Sequence, residues 1–285
     1  MGQKTNITIT NLSLKNSEWN NKYLEKNSEE SSLLLYKNIK IKDYLNRIFN
    51  MYGFLVHTCK IEYGINQTNF IIFLVEKKSE TQKIYSENLK QLRNNNTKSL
   101  KLINSKNLLD YIVNNILTVD LSLFLKAQTI TIQTQNLNKK FENSLTKPQL
   151  IKHKNFLKTF KRFLRNPLFK ESLKLLFIAV SEKNSSKLIA EIISNYFSKE
   201  KKRHGFGLFF FKKSLSTLIN TNFSKISGIK VVISGRFNSA PRAAKKILRI
   251  GKISLQSFNS STNYHETTSF TNNGTFGIKV WICEK

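Results

Sequence analysis

Positive charge is spread along the whole chain, and its self-repulsion opposes a compact fold. Lys and Arg together number 47 against 18 Asp and Glu, which gives a formal net charge of +29 over 285 residues. Charges of one sign repel one another in a compact state, and a bound polyanion removes that repulsion by neutralising them and releasing its counterions. We therefore expect a nucleic acid as the partner, with an anionic membrane surface as the alternative.

The residues that enzymes use for catalysis are few and scattered. Of the histidines, His265 has an acid beside it, Glu266, but neighbours on a strand point to opposite faces. The others lie in different predicted elements: His57, His153 and His204. Walker loops, GxGxxG and HExxH do not occur in the sequence. We predict a protein that is not an enzyme, with no catalytic residue, no metal site and no cofactor.

Membrane spans and zinc sites are not indicated either. The longest conspicuous apolar run, Leu175 to Val180, has the size of a core segment and is too short for a span. Cys59 and Cys283 form neither a CxxC pair nor a Cys/His cluster, so we expect two ordinary buried thiols. The first residues lack the apolar stretch of a signal peptide, which favours a chain made where it works.

Residues 38–119 have the pattern of one small α+β domain. Apolar side chains recur at steps of three and four residues between Ile41 and Phe49, as on an amphipathic helix. The predicted elements are this helix, ended by Gly53, strands at 54–63 and 70–75, a helix at 80–93, a short strand at 100–103 and a helix or strand at 108–117. Residues 1–37 are expected to form an irregular arm that orders on a partner.

The pattern changes between residues 120 and 184, which we interpret as a basic insertion. Residues 129–132 alternate as a strand does, and a helix is predicted to begin at Pro148. One face of that helix is aromatic and aliphatic, with Phe156, Leu157, Phe160, Phe163 and Leu164. Its other residues include Lys152, Lys154, Lys158, Lys161, Arg162 and Arg165 and no acid. A helix of this kind suits RNA and also a membrane surface.

The last hundred residues, 185–285, are the most regular. Helices are predicted from about Ser186 and over 208–219, followed by strands at 229–234, 252–258, 264–270 and 276–283. This order indicates two helices packed on a mostly antiparallel four-stranded sheet. The predicted fold class of the whole chain is therefore α+β.

Several short motifs, found in the same order from end to end, resemble the ribosomal protein S3 family of the small subunit. The opening Gly2-Gln3-Lys4, with Asn6 and Trp19, is similar to the N-terminus of the family. The C-terminal motifs are Gly228-Ile229-Lys230-Val231, Ser234-Gly235-Arg236, Gly251-Lys252-Ile253 and Gly277-Ile278-Lys279-Val280-Trp281-Ile282. The resemblance implies a type II KH domain at 38–119 and the C-terminal S3 domain at 185–285.

The resemblance also implies a function and its partners. Members of the family are structural proteins of the small-subunit head, beside the tunnel by which messenger RNA enters. The implied partners are small-subunit ribosomal RNA, messenger RNA and neighbouring head proteins, with no membrane. Two other classes stay open: a free-standing basic RNA-binding protein, and a membrane-surface protein docked through the basic helix.

The candidate RNA contacts are all cations, and as phosphate contacts they would set affinity and orientation more than base sequence. Where KH domains carry a GxxG loop, this chain has Glu76-Lys77-Lys78-Ser79, which leaves Lys77 and Lys78. The segment matching the messenger tunnel carries Lys201, Lys202, Arg203, Lys212 and Lys213, and the loop after the first C-terminal strand is predicted to carry Arg236, Arg242, Lys245, Lys246 and Arg249, with Lys4 in the arm.

Composition and the insertion both bear on origin. The chain is rich in Lys, Asn, Ile and Phe, which have A/T-rich codons, and it contains 3 Pro and 10 Gly. Insertions between the two domains are similar to those of mitochondrial members of the family. We therefore expect a mitochondrial ribosomal protein, with a plastid as the less favoured location.

Overall fold

The fold is described from a computed structural model with side chains. It covers residues 19–25, 27–64, 66–77, 109–125, 129–144, 146, 148–149, 156–200, 204–255, 257 and 260–285. The chain forms two compact units, an N-terminal unit (Glu18–Lys140) and a C-terminal unit (Phe141–Lys285). Each contains a four-stranded sheet with helices, so the predicted α+β class is confirmed. The helix predicted at 80–93 and the strand predicted at 100–103 lie outside the described residues.

The N-terminal unit is built on a sheet of order β1-β2-β3-β4. Its elements are β1 (Asn21–Lys22), α1 (Glu30–Met51), β2 (Phe54–Tyr63), β3 (Gln67–Glu76), a π-helical segment (Ile112–Leu117) that continues into α2 (Thr118–Leu125), and β4 (Thr129–Asn136). The predicted hairpin is antiparallel β2 and β3, whereas β4 pairs with β3 in parallel. Parallel neighbours need a crossover connection, so the chain crosses the sheet before β4. Ile41, Leu45 and Phe49 bury one face of α1.

Two boundaries of the N-terminal unit differ from the predictions. Helix α1 begins at Glu30, inside the predicted arm, and the undecided residues 109–117 are helical. The sheet ends with β4, which lies within the predicted insertion at 120–184. Pairs from Gln67 with Thr129 to Leu74 with Asn136 join β4 to β3. Alternation over a few residues marks a strand but does not identify its partner, so the pattern could not assign β4 to this sheet.

The C-terminal unit lays helices on one side of an antiparallel sheet of order β6-β5-β8-β7. Helix α3 (Leu137–Ser144) spans the boundary between the units, and the elements that follow are α4 (Pro167–Ser181), α5 (Ser186–Lys199), α6 (His204–Ile219), β5 (Ile226–Gly235), β6 (Ala244–Gly251), β7 (Thr262–Thr271) and β8 (Gly274–Glu284). Helix α5 packs on β7 and β8, and α6 packs on β5 and β6. The hydroxyls of Thr267 and Ser269 donate to the carbonyls of Ala190 and Ser194 in α5.

The second strand of this sheet lies at a different place from the strand that the sequence predicts. A strand was predicted at 252–258, but β6 occupies Ala244–Gly251. It ends at Gly251, whose φ of +75° is a conformation that favours glycine. Lys245, Lys246 and Arg249 interrupt the apolar pattern of β6, as charged side chains often do on an edge strand. That is why the segment was interpreted as a loop.

The predicted basic helix is also different in the structure. From residue 156 the chain makes one short helical stretch and a series of turns before α4 begins at Pro167. Phe160 and Phe163 are buried, with their ring centroids 6.3 and 5.3 Å from that of Phe210 in α6. The aromatic face thus belongs to the core of the C-terminal unit and cannot lie on a membrane. None of the described helices combines the length and the apolar character that a membrane span needs.

Candidate nucleic-acid interface

The C-terminal sheet has a face turned away from α5 and α6, which we call the open face. Side chains alternate between the two faces along each strand. Thr267 and Ser269 mark the side of α5, and residues one step away on β7 and their cross-strand partners lie on the other side. The open face therefore carries Lys230, Val232, Lys245, Ile247, Arg249, Tyr264, Glu266, Lys279 and Trp281.

Lys245 and Arg249 are the exposed cations that β6 carries on the open face, with Ile247, which is 51% exposed, between them. The pairing of β6 with β5 places Lys245 beside Ser234 and Arg249 beside Lys230. Basic and apolar side chains thus alternate with the strand spacing on one exposed surface. Such a surface suits the phosphates of a nucleic acid and the apolar edges of its sugars and bases.

The aromatic rings of Trp281 and Tyr264 lie on the open face beside Lys230. The Lys230 ammonium nitrogen lies 5.0 Å from the centroid of the Trp281 ring, and the Tyr264 ring lies 5.1 Å from the same centroid on the other side. Lys230 and Trp281 are both buried. A buried ammonium over an aromatic face is stabilised by the ring quadrupole. This row therefore fixes the shape of the surface, and the exposed cations on β6 are the groups free to reach a ligand.

Glu266 is the acid on this face, and its neighbours keep it ionised. The Tyr264 hydroxyl donates to Glu266 Oε2 at 2.7 Å, and Lys279 Nζ lies 3.5 Å from the same oxygen. The hydrogen bond from Tyr264 is the main cause that lowers the pKa of Glu266, and Lys279 lowers it further. Burial and then the Glu266 bond raise the pKa of Tyr264. The ionised Glu266 offsets part of the positive charge of the face.

The predicted cluster of cations after β5 is divided between the two faces. Lys246 pairs with Ile233, on the side of α5 and α6, whereas its neighbour Lys245 is on the open face. Both are exposed because β6 is an edge strand. The sequence pattern predicts a loop here, in which neighbouring side chains can point the same way. In a strand they cannot, so Lys245 and Lys246 do not face one ligand together.

Arg236 and Arg242 lie in the connection between β5 and β6, and a buried histidine ties this connection to α6. Arg236 Nε donates to the Ala240 carbonyl at 2.9 Å. The backbone N–H of Asn238 donates to His204 Nδ1 at 3.0 Å. In return, the backbone N–H of His204 donates to Asn238 Oδ1 at 3.3 Å. Since Nδ1 is an acceptor, Nε2 is the ring nitrogen that donates to the Glu200 carbonyl, at 3.1 Å. No pattern in the sequence predicts this positioning role of His204.

The remaining candidate RNA contacts fall into three groups. Lys212 and Lys213 are exposed on α6, and Lys213 Nζ lies 5.5 Å from the Phe160 ring. Lys77 is only 8 % exposed and its backbone N–H donates to the Gly53 carbonyl, so the structure argues against a phosphate contact there. Lys4, Lys78, Lys201, Lys202 and Arg203 lie outside the described residues.

Residues that could perform other chemistry are not assembled in the described part of the chain. No group of three or more His, Cys, Asp and Glu is arranged there to hold a metal ion. Cys59 and Cys283 are buried and free of disulfides, and burial raises the pKa of the Cys283 thiol. His265 lies on the opposite face from Glu266, and burial is the main cause that lowers its pKa. The arrangement can bind anions through fixed cations.

This geometry defines a class, a basic α+β protein with helices on one side of a C-terminal sheet and exposed cations on the other. The family model for the C-terminal domain of ribosomal protein S3 matches residues 209–282, which run from α6 to β8. Many curated proteins named as small ribosomal subunit protein uS3 are also similar to the chain. The chain is therefore similar to the ribosomal protein S3 family, with the C-terminal domain of the family matched at residues 209–282.

Three relatives illustrate the extent of the similarity. The small ribosomal subunit protein uS3 of Karelsulcia muelleri is 41% identical over 73 residues, covering 25% of this chain and 32% of the relative. That of Dictyoglomus turgidum is 31% identical over 121 residues, covering 42% and 47%. The uS3c protein of Cyanidium caldarium is 29% identical over 182 residues, covering 62% and 81%. The chain thus spans about a third to a half of the length of the first two relatives.

Proposed function

We propose that the chain is a structural constituent of the small ribosomal subunit that binds ribosomal RNA and has no catalytic activity. The observation that carries the proposal is the edge strand β6, where Lys245 and Arg249 stand exposed on one face inside the part of the chain that matches the family. A net charge of +29 supports a polyanionic partner.

The contacts to RNA are proposed to be phosphate contacts made through the open face and the β5–β6 connection. The cations there are held by strand pairing and, at Arg236, by a backbone hydrogen bond. Fixed cations position a protein on RNA through the backbone and carry little sequence information. Affinity should therefore fall steeply with salt.

Within the subunit we propose a place in the head, beside the tunnel by which messenger RNA enters. Lys212 and Lys213 on α6 support a contact with messenger RNA, because both are exposed and α6 is tied through His204 to the connection that carries Arg236. Neighbouring head proteins are the other proposed partners. Exposed apolar side chains on α1, such as Leu33 and Ile39, support a protein neighbour for the N-terminal unit.

The N-terminal unit is proposed to be a type II KH domain. The order of helix, antiparallel hairpin, helix and a strand parallel to the hairpin supports this assignment. The two clamp glycines are absent, and Glu76 is held by a reciprocal pair of hydrogen bonds with Asn138. The domain would then contribute shape and protein contacts more than single-strand clamping.

We propose a mitochondrial ribosome as the location, on the strength of the A/T-type composition and the segment between the domains. The relatives include proteins named uS3 and uS3c, which do not separate mitochondrion from plastid. Sequencing the gene with its neighbours separates the possibilities. A mitochondrial locus is the expected result, and a plastid or nuclear locus would contradict this part of the proposal.

The alternative is a basic protein that works outside the ribosome, either on RNA or on a membrane surface. For the membrane surface, the aromatic side chains of residues 156–164 would have to face lipid. Phe160 is 0% and Phe163 is 5% exposed, which argues against that alternative. A free RNA-binding protein is separated from a ribosomal one by the following experiment.

Native extract is sedimented on a high-salt sucrose gradient, and the chain and small-subunit RNA are followed across the fractions. A ribosomal constituent should remain with the RNA, because many phosphate contacts and protein neighbours hold it together. A chain released to the top of the gradient would contradict the proposal and favour the free RNA-binding protein. A second gradient at low salt controls for extracts in which the subunit itself has dissociated.

A further inference from the structure

A cleft on the helical side of the C-terminal unit has the chemistry of a ligand site. Its volume is about 400 Å³, within the range of clefts that hold small molecules. It is formed where the turns before α4 meet the end of α5 and the beginning of α6, and none of its lining residues lies on the sheet. Its lining includes Arg162, Arg165, Phe169, Glu200 and Phe206.

The aromatic wall of the cleft is Phe206, which is 40% exposed although it stands on a packed aromatic layer. One face of its ring stacks on Phe163, with centroids 5.0 Å apart and planes at 28°. Phe169 meets the ring edge-on at 5.5 Å. The ring is thus held from behind while part of it remains open, which suits a planar ligand that stacks on it.

The cationic wall carries Arg162 and Arg165, both exposed. Among the described residues, neither arginine is joined to an acid by a salt bridge within 4.0 Å. Helix α4 begins beside them, where Asn166 accepts a hydrogen bond from the Leu168 N–H, and the start of a helix favours negative charge. Guanidinium groups bind phosphate with paired hydrogen bonds, so a phosphate is the anion that this wall fits.

An acid on the lining distinguishes the cleft from a general anion site. Glu200 also lines it, held at the end of α5 because its N–H donates to the Tyr196 carbonyl at 3.0 Å. A carboxylate accepts hydrogen bonds and repels a second phosphate. It therefore suits the amino or hydroxyl groups of a base or ribose. A ligand that has a phosphate, a planar ring and a hydrogen-bond donor matches one nucleotide.

We infer that this cleft binds one unstacked nucleotide of an RNA strand. Its phosphate lies against Arg162 and Arg165, its base stacks on Phe206, and Glu200 accepts a hydrogen bond from the base or the ribose. The inference rests on the proposed function in taking RNA as the ligand. It goes beyond that function because residues 162–206 precede the matched family domain, which begins at residue 209.

The test measures binding of the full chain to a labelled single-stranded RNA of about eight nucleotides by fluorescence anisotropy. The variant Arg162→Gln with Arg165→Gln should weaken binding about 10-fold. The matched control, Lys158→Gln with Lys161→Gln, removes the same charge from exposed residues that do not line the cleft. It should weaken binding less than about 3-fold. Equal losses in both variants would overturn the inference.

Stacking is tested by Phe206→Leu, which keeps an apolar side chain and removes the aromatic face. It should weaken binding about 5-fold or more. RNA containing iodouridine, irradiated on the wild-type chain, should crosslink to the peptide that contains Phe206. Crosslinks confined to the open face, with no effect of Phe206→Leu, would overturn the inference. Circular dichroism melting shows that each variant is folded.

Free nucleotides share this chemistry, so AMP is added as a competitor. AMP should displace the RNA only far above the Kd of the RNA, because RNA makes further contacts elsewhere. Displacement near that Kd would assign the cleft to free nucleotides and overturn the assignment to RNA. Cleft variants that bind the oligonucleotide as wild type does, with intact sedimentation of the chain, would reject this inference alone, whereas release of the wild-type chain on the gradient would reject the proposed function.

Discussion

The two faces of the C-terminal sheet are built from the same four strands and carry opposite kinds of side chain. On the helix side, Ile233 and Ile278 are fully buried under α5 and α6. On the open face, Lys245 and Arg249 are exposed beside the row of Lys230 and Trp281. One step along a strand therefore separates a side chain that stabilises the unit from one that can bind a ligand. Substitutions on the two sides should separate stability from RNA affinity.

The largest expected effect is on the helix side, at Gly207. A Cβ at this position would lie 2.2 Å from Cε1 of Tyr196, so α5 and α6 approach each other more closely than a larger residue allows. Tyr196 is buried and cannot move aside freely. Gly207→Ala should lower the free energy of unfolding by about 2 kcal/mol, measured by urea denaturation.

The matched control is Gly205→Ala, on the same helix, where a Cβ meets nothing within 4 Å. Because alanine has the higher helix propensity, this variant should be as stable as wild type or more stable, by up to about 1 kcal/mol. Equal destabilisation by both substitutions would mean that helix packing is not the cause.

The next effect is on the open face and concerns binding. Lys245→Gln with Arg249→Gln should lower affinity for small-subunit ribosomal RNA about 10-fold and reduce the slope of log affinity against log salt by about 1 to 2. The free energy of unfolding should change by less than about 0.5 kcal/mol, since both side chains are exposed. Anisotropy titrations at several salt concentrations measure both quantities.

Lys246→Gln is the control on the other face of the same strand. It is exposed as Lys245 is, so a purely nonspecific attraction would lose the same affinity per charge at either position. We expect Lys246→Gln to cost clearly less affinity than Lys245→Gln alone. An equal loss would refute the distinction between the faces as a guide to RNA contact.

Parts of the fold could be predicted from the sequence, whereas the positions of Lys245 and Lys246 on the two faces of β6 could not. The face of α1 and the β2–β3 hairpin were predicted because their apolar spacing is local and regular. In β6 the cations that could bind RNA removed the apolar alternation that would have marked the strand, so Lys245 and Lys246 were placed together. The cleft at Arg162 and Phe206 was not predicted at all, because its residues come from separate elements that only tertiary packing brings together.

A smaller effect on the helix side depends on pH. Burial, and then Lys187, lower the pKa of His265 below its ordinary 6.5, while Glu266 partly opposes them. The unfolded chain therefore takes up this proton at a higher pH than the folded chain. The contribution of His265 to stability is complete above pH 6.5 and is lost as the pH falls towards the lowered pKa.

Urea midpoints of wild type and His265→Gln, measured across this range, isolate the effect. The difference in stability between the two proteins should move in favour of His265→Gln as the pH falls from 7 towards 5, an interval that brackets the ordinary histidine pKa of about 6.5. A difference that stays constant would show that His265 titrates alike in the folded and unfolded chains. RNA affinity should not follow this titration, because His265 is on the helix side.

The smallest expected effect is on RNA affinity and concerns Glu266 on the open face. Because its ionised carboxylate offsets part of the charge of Lys279 and its neighbours, Glu266→Gln should raise RNA affinity about 2- to 3-fold. The same variant should lower the pKa of Tyr264, since the carboxylate bond contributes to raising it, and absorbance titration of the tyrosines measures this shift. Glu25→Gln is the control, because it makes the same change in net charge on the N-terminal unit. If the control raised affinity as much, total charge would explain the gain; a gain confined to Glu266→Gln requires the RNA to lie on the open face.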